Sequence, residues 1–499
     1  MQLLDLITIF IFALGIVIMG LSFSGKGRNM KSFFAAGGAV PWAMSGLSLF
    51  MGFFSAGTFV VWGSIAYSLG WIAISIQWTM AIAGFVVGFF IAPRWHKTSA
   101  LTVAEYITRR LGVNTQKTYT YLFLFISLFT TGSFLYPVAK IVEVSTGMPL
   151  DLCILLLGGF CIVYVAAGGL WAVVSTDVLQ FIILTAAVLI VVPLSFGRVG
   201  GVVNFIESIP ATYFNLVNGE YTIGFIIAFG VYNAIFLGGN WAYVQRYASV
   251  NSQSSARKVG FLFGGLYVVS AVLWMLPPMI YRIVNPSLST IDAEGAYLMM
   301  CKEVLPAGLL GLMLSGMVFA TASSLNATLN ISSGVVTNDI FKRLFPQSSD
   351  KTLMRVARIS TIIFGLLAII VALLIPLMGG IVNVVISVAA LTGVPLYLPI
   401  IWTLFSKRQT EYSVITTTLV SLGANAFFKF ITPLWGFGFN RAEEMIVGVA
   451  FPVFCLIAFE LYYKLNHKIS HRYVEYQEWE KENNCIKETD VMHTGPFPT

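Results

Sequence analysis

The chain has 499 residues, 57 % of them hydrophobic and only 10 % charged, with a mean hydropathy of +0.84. Soluble domains carry about 25 % charged residues, so this composition excludes a cytoplasmic enzyme, a nucleic-acid-binding domain and a secreted disulfide scaffold. The net charge of +7 reports loop asymmetry in a membrane protein, and the five scattered cysteines (Cys153, Cys161, Cys301, Cys455 and Cys485), with no CxxC, frame neither disulfides nor a zinc site.

A spanning helix needs about 20 apolar residues. In chain order this predicts thirteen spans: Leu3–Phe23, Pro41–Leu69, Trp71–Ile91, Thr118–Val138, Leu152–Leu170, Val178–Phe196, Tyr221–Val244, Val259–Tyr281, Leu309–Val336, Ile359–Leu377, Ile381–Leu404, Tyr412–Phe430 and Met445–Tyr463. The first reads as a retained helix, because no basic residue precedes it and no A-x-A site follows. With the N-terminus outside, 23 of the 29 Lys and Arg residues fall on the inner side, Arg246 counted among the loop charges. That asymmetry predicts an N-out, C-in topology. Between the third and fourth spans, Thr102–Leu111 has helical spacing and a polar face and is expected along the inner surface. The transmembrane domain is expected to cover 1–465. A polar tail, 466–499, should form a short helix followed by disorder.

Helix breakers and polar clusters inside a span are informative, because hydrocarbon satisfies no backbone group. The second span carries Met51-Gly-Phe-Phe54-Ser55-Ala-Gly57-Thr58 at mid-depth, and the seventh carries Gly238-Gly239-Asn240. Paired interruptions of this kind point to an inverted-repeat transporter; the competing reading is close helix packing through small residues. In the ninth span, Ala320-Thr-Ala-Ser323-Ser324 places a carbonyl about one turn below two hydroxyls. Carbonyls of Met51 and Phe54, freed by unwinding, would complete a cage of neutral oxygens suited to Na⁺. The alternative is that the serines bond back to their own helix. Asp177 opens the sixth span, where it reads either as an intramembrane functional acid or as an N-terminal cap.

The strings Gly168-Gly169-Leu170-Trp171-Ala-Val-Val-Ser175-Thr176-Asp177-Val-Leu-Gln180, Asn240-Trp-Ala-Tyr-Val-Gln245-Arg246-Tyr247 and Ala320-Thr-Ala-Ser323-Ser324…Thr337-Asn338-Asp339-Ile340 resemble the sodium/solute symporter family over about residues 3–465. That family includes sodium-coupled sugar, sialic acid, proline and pantothenate carriers. The resemblance implies an all-α polytopic membrane protein with a LeuT-like fold, built as two inverted five-helix repeats at about 41–196 and 221–404. It also implies a Na⁺ site on carbonyls of Met51, Phe54 and Ala320 and hydroxyls of Ser323 and Ser324, with Asp177 on the ion's exit route. Sialic-acid-type carriers with a second Na⁺ have serines where this chain has Asn326 and Ala327, so one Na⁺ per cycle is expected.

By the same resemblance Ser55, Thr58 and Gln77 line one side of a solute pocket and Asn233 and Phe236 the other, with Tyr267 and Ser387 completing it. Compared with sodium–galactose carriers, Gln77 replaces an acid, Tyr267 a lysine and Ser387 a glutamine, while Asn233 agrees. A neutral, hydroxyl-rich pocket suits a sugar or polyol, and Trp62, Trp78 and Trp241 are either stacking platforms or core. The expected activity is Na⁺-driven import at the cell membrane by alternating access, the partners being solute, Na⁺ and membrane lipid. No organic cofactor, nucleic acid or obligate protein partner is expected. An intramembrane enzyme is disfavoured, because His96, His467, His471 and His493 all lie in loops or the tail and Asp177 has no acidic partner in a neighbouring span. A sensor on a carrier fold would need a separate signalling protein.

Overall fold

The computed structural model describes residues 2–24, 40–100, 102–164 and 170–480, with no strand among them. Among the described residues, helix lies under each segment read from hydropathy as a span. The helices include α1 (Leu3–Ser24), α2 (Trp42–Met51), α3 (Thr58–Leu69), α4 (Trp71–Lys97), α5 (Val103–Leu111), α6 (Val113–Thr146), α7 (Leu150–Tyr164) and α8 (Leu170–Arg198). They continue with α9 (Ile223–Gly239), α10 (Trp241–Ala248), α11 (Gln253–Val284), α12 (Leu309–Val335), α13 (Asp350–Leu374), α14 (Ile381–Thr403), α15 (Glu411–Ala426), α16 (Arg441–Leu465) and α17 (471–480). Among the described residues eight helices are individually long and apolar enough to cross a membrane, and a ninth if the bent α9–α10 pair is taken as one span.

Local chemistry sets the ends. Thr222, Ser252, Thr410 and Asn440 each cap the helix that follows with a side-chain oxygen, and Thr410–Ser413 and Asn440–Glu443 form reciprocal boxes. The α3–α4 turn needs Gly70: its φ is +66°, and a Cβ there would lie 2.4 Å from the Tyr213 carbonyl oxygen.

Two glycine pairs, each spaced by four, lock α4 to α11. A Cβ on Gly84 would stand 2.8 Å from the Cα of Gly264, and one on Gly260 would stand 2.6 Å from the Cα of Gly88. Small residues at that spacing let backbones touch, which is how helices associate where water provides no drive. α2 and α9 pack onto this pair, while α12 lies against α1, α6, α8 and α13. The centre is filled by rings: Phe54 stacks on Trp274 with centroids 4.7 Å apart, and Phe50 meets Tyr267 edge-on at 5.7 Å.

Three expectations change. Asp177 is not at a helix start: α8 is already helical from Leu170, so Asp177 lies about two turns inside it, beyond the reach of a capping role. Arg246, counted as a loop charge, is buried in α10. The polar face of α5 is not laid open to the inner surface: Arg110 is fully buried and donates from Nη2 to the carbonyls of Ser406 and Gln409, while α17 packs against the same helix. Hydropathy located the helices and undercounted the charges buried between them.

Candidate functional site

The first interruption is the stretch 52–55. Gly52 still bonds back to Ser48 and Leu49, but the amides of Phe53 and Phe54 both turn to the Phe50 carbonyl, and Thr58 N donates to Ser55. Among the described residues no backbone amide in this turn takes the carbonyl of Met51 or of Phe54. A π turn, Thr58–Trp62, restarts the helix, and the Thr58 hydroxyl reaches back across the break to the Phe53 carbonyl. Such turns concentrate at functional sites.

The second interruption lies at Asn240, where the chain axis bends by 60° between α9 and α10. Asn240 Oδ1 accepts from Ala242 N at 3.0 Å, and its Nδ2 donates to the Tyr397 hydroxyl at 3.3 Å. The two glycines before it leave no room for a side chain, since a Cβ would lie 2.8 Å from Ile91 at Gly238 and 2.7 Å from Tyr397 at Gly239. The indole N–H of Trp95 donates to the freed Gly238 carbonyl at 2.6 Å.

α12 lies alongside the first break and is pinned to it. The Ala56 amide donates to Thr321 Oγ1 at 3.0 Å, and that hydroxyl donates to the Met317 carbonyl at 2.9 Å. One turn further, the Ser324 hydroxyl stands 3.5 Å from the Ala320 carbonyl, a distance too long for a firm back-bond.

Two cavities flank this arrangement. The smaller, about 90 Å³, is lined by Met51, Ala320, Ser324 and Asp177 together with Ser48, Ser127, Thr130, Asn240 and Arg246. Of the proposed ion ligands it therefore gathers Met51, Ala320 and Ser324, with Asp177 in the same wall. Phe54 sits in the adjoining turn with its ring in the aromatic core and does not line this cavity. The side chains of Ser323, Asn326 and Ala327 lie outside the described residues. Asp177 is buried, and Ser48 Oγ donates to its Oδ2 at 2.6 Å; Arg246 Nε donates to the same Ser48 oxygen at 3.4 Å. A hydroxyl thus bridges a carboxylate and a guanidinium from three different helices, the pairing expected of intramembrane charges.

The larger cavity, about 180 Å³, is lined by Ser55, Thr58, Gln77, Asn233, Phe236 and Tyr267, six of the seven expected solute contacts. Ser387 is not in its wall; the neighbouring Val385, Val388 and Ala389 are, with Thr392 and Gly393 from the π turn of α14. Asn233 donates to Thr79 Oγ1 at 2.8 Å, whereas the buried Nε2 of Gln77 has no partner. Trp62 lines the cavity; Trp78 donates to the Val268 carbonyl instead, and Trp241 stacks on Phe123 at 4.7 Å. No charged side chain lines this cavity among the described residues.

Several wall residues escaped the sequence reading. Ser127, Thr130 and Ser133 recur every third residue on α6 and line one cavity or both, a polar stripe at helical spacing that was there to be read. Ser48 gave no separate signal, being one of two serines in an otherwise apolar stretch. The two cavities share Gly52, Ile126, Thr130, Phe134, Phe236, Tyr243 and Tyr397.

Residues 33–420 match the sequence model of the sodium:solute symporter family. A sodium/glucose cotransporter of Vibrio parahaemolyticus is 28 % identical over 472 residues, covering 86 % of each chain. Sodium/glucose cotransporter 1 of Mus musculus is 25 % identical over 515 residues, 91 % of this chain and 76 % of the relative. Among solved structures, an outward-open Na⁺-coupled sialic acid symporter superposes with a TM-score of 0.77 at 21 % identity, over 92 % of this chain and 98 % of that one.

Proposed function

The chain belongs to the sodium:solute symporter family, and from that premise we propose that it imports a small neutral polar solute, a sugar or polyol, together with one Na⁺ per cycle. It is an integral membrane transporter driven by sodium. The coupling ion supplies about 2.3 kcal/mol per 100 mV of membrane potential in addition to its own gradient.

The observation that carries this reading is the wall common to both cavities. An ion held by the carbonyls of Met51 and Ala320 and the hydroxyl of Ser324 steadies the unwound stretch 52–55, whose other side, Ser55, faces the solute cavity. Ordering this turn on one side prepares it on the other, and by linkage solute tightens Na⁺ by the factor that Na⁺ tightens solute. Neutral oxygens suit a cation that must be released again. The orphan carbonyls of Met51 and Phe54 support the cage, with Ser323 as its further ligand and Asp177 on the exit route.

For the solute, an uncharged wall with a free donor at Gln77 and hydroxyls at Ser55 and Thr58 fits ring or chain hydroxyls. The relatives named for glucose agree in class. A carboxylate-bearing solute such as sialic acid would be buried without a cation in that wall, which is costly. We further assign thirteen crossings in two inverted five-helix repeats, about 41–196 and 221–404, with the N-terminus outside; the charge asymmetry survives the removal of Arg246 from the loops.

Uptake of radiolabelled sugars and polyols into proteoliposomes, with and without an inward Na⁺ gradient, tests the reading. Accumulation only with the gradient supports it, and equal rates under both conditions refute coupling.

A further inference from the structure

A third cavity, about 490 Å³, lies away from both transport cavities, at the end of the bundle where α4 gives way to α5. Arg94 and Lys97 enter it from α4, Arg110 from α5 and Arg257 from α11, while α17 closes it with Tyr473, Tyr476 and Glu480. Among the described residues, Lys97 is the one of the four cations with a carboxylate near it, Glu480 at 3.7 Å. Arg94 lies over the Phe405 ring at 3.8 Å, and Arg257 is exposed.

Arg110 is the unusual member. It is fully buried, with Nη2 spent on the Ser406 and Gln409 carbonyls and Tyr473 under its face at 5.0 Å, yet Nε and Nη1 have no partner. These two N–H groups leave opposite edges of the planar guanidinium, so each can donate singly to an oxygen of a phosphate or carboxylate. Burial also holds this guanidinium below its ordinary arginine value, a cost that a bound anion relieves. On one flank of the cavity stand Phe89 and Phe90, both exposed on the outer face of α4. A cationic recess with rings at its rim matches a phosphate headgroup whose acyl chains run along the helix.

We propose that this recess binds a phosphate-bearing anion, with Arg110, Arg94 and Arg257 holding the phosphate and Phe89 and Phe90 lying against the acyl chains when that phosphate belongs to a membrane phospholipid. Because α17 supplies one wall, the bound anion also fastens α17 to α5.

The test uses the purified full chain in detergent, titrated with phosphatidylglycerol, with phosphatidylcholine or with inorganic phosphate, and read by thermal unfolding and by native mass spectrometry of retained lipid. Phosphatidylglycerol is expected to raise the unfolding midpoint and remain bound where phosphatidylcholine does not. Arg94→Gln with Arg257→Gln should weaken it about 25-fold, at roughly five-fold for each basic residue near an anionic headgroup. Arg94→Lys with Arg257→Lys, which keeps both charges, should restore most of the affinity and controls for damage to the fold. Glu480→Gln removes the competing carboxylate and should tighten binding. Stabilisation by phosphatidylglycerol alone identifies the source as lipid, and equal stabilisation by inorganic phosphate identifies a soluble anion. The site is refuted if neither anion acts on the wild type, or if the glutamine pair binds as tightly as the wild type.

Discussion

Thr321 Oγ1 accepts the backbone amide of Ala56 at 3.0 Å, so the ninth predicted span is bonded directly to the residue with which the broken second span resumes. Thr321→Val keeps the volume and leaves a buried N–H unpaired, at a cost of about 1–3 kcal/mol. The expected result is a lower unfolding midpoint together with Na⁺ activation shifted to higher concentration. An altered midpoint with unchanged Na⁺ activation would confine this bond to packing.

Ser324→Ala deletes one oxygen facing the smaller cavity and adds no bulk. Na⁺-driven uptake should fall to near background while expression and unfolding stay close to wild type, because the hydroxyl's 3.5 Å contact with Ala320 contributes little. Uptake with ordinary Na⁺ dependence would sink the cage.

Asp177 and Arg246 meet through Ser48. Asp177→Asn leaves the guanidinium facing no charge in a buried wall, a loss on the order of 3 kcal/mol for a broken buried pair. Adding Arg246→Gln should recover much of that stability without recovering normal Na⁺ activation. A double variant no more stable than Asp177→Asn alone would show that the two charges are not energetically coupled.

Glu294, in the short 3₁₀ turn Asp292–Gly295, accepts from Ile381 N at 2.9 Å and from the Tyr136 hydroxyl at 2.8 Å, and burial raises its pKa above the ordinary glutamate value. The folded state therefore favours the protonated acid. Its contribution is full below the unfolded value and declines as pH rises through the folded one. Glu294→Gln removes the titrating group: its amide oxygen can accept from Ile381 N while its amide N–H donates to the Tyr136 hydroxyl oxygen, so its stability should lose this decline. Unfolding midpoints of both proteins from mildly acid to neutral pH measure the difference, and parallel profiles would exclude Glu294 as the group responsible.

The helices and the two chain breaks are legible in the sequence for a physical reason: both depend on short-range pattern. Met51, Ala320 and Ser324 were legible because a glycine-rich break and a serine run at helical spacing leave few geometries open. Ser387, like the other six solute contacts, rests on the family likeness and not on spacing, and the cavity wall runs past it through Val385 and Val388. A cap at Asp177 follows from its place at the start of the sixth apolar span, and hydropathy sets a span boundary but not a helix boundary, which lies at Leu170. Arg246 looked like a loop cation, since a bend of 60° at Asn240 cannot be read from composition. The docking of α17 had a signal that went unused: Tyr473, Tyr476 and Trp479 recur every third residue in an otherwise polar stretch. Trp479 lies under Arg109 at 4.0 Å, and Tyr476 meets Tyr106 at 5.9 Å.

The glycine seam fixes what can move. With backbone against backbone at Gly84, Gly88, Gly260 and Gly264, α4 and α11 have no cushion of side chains across which to slide. They form one girder, and a shear between them would have to jump a whole helical turn. Whatever opens this protein first to one side of the membrane and then to the other must turn the girder as a unit. On the proposed function, flexing would then fall on the two joints that lack a continuous hydrogen-bond ladder, at 52–55 and at Asn240, and these same joints border both cavities. Turning and binding would thus be asked of the same few residues.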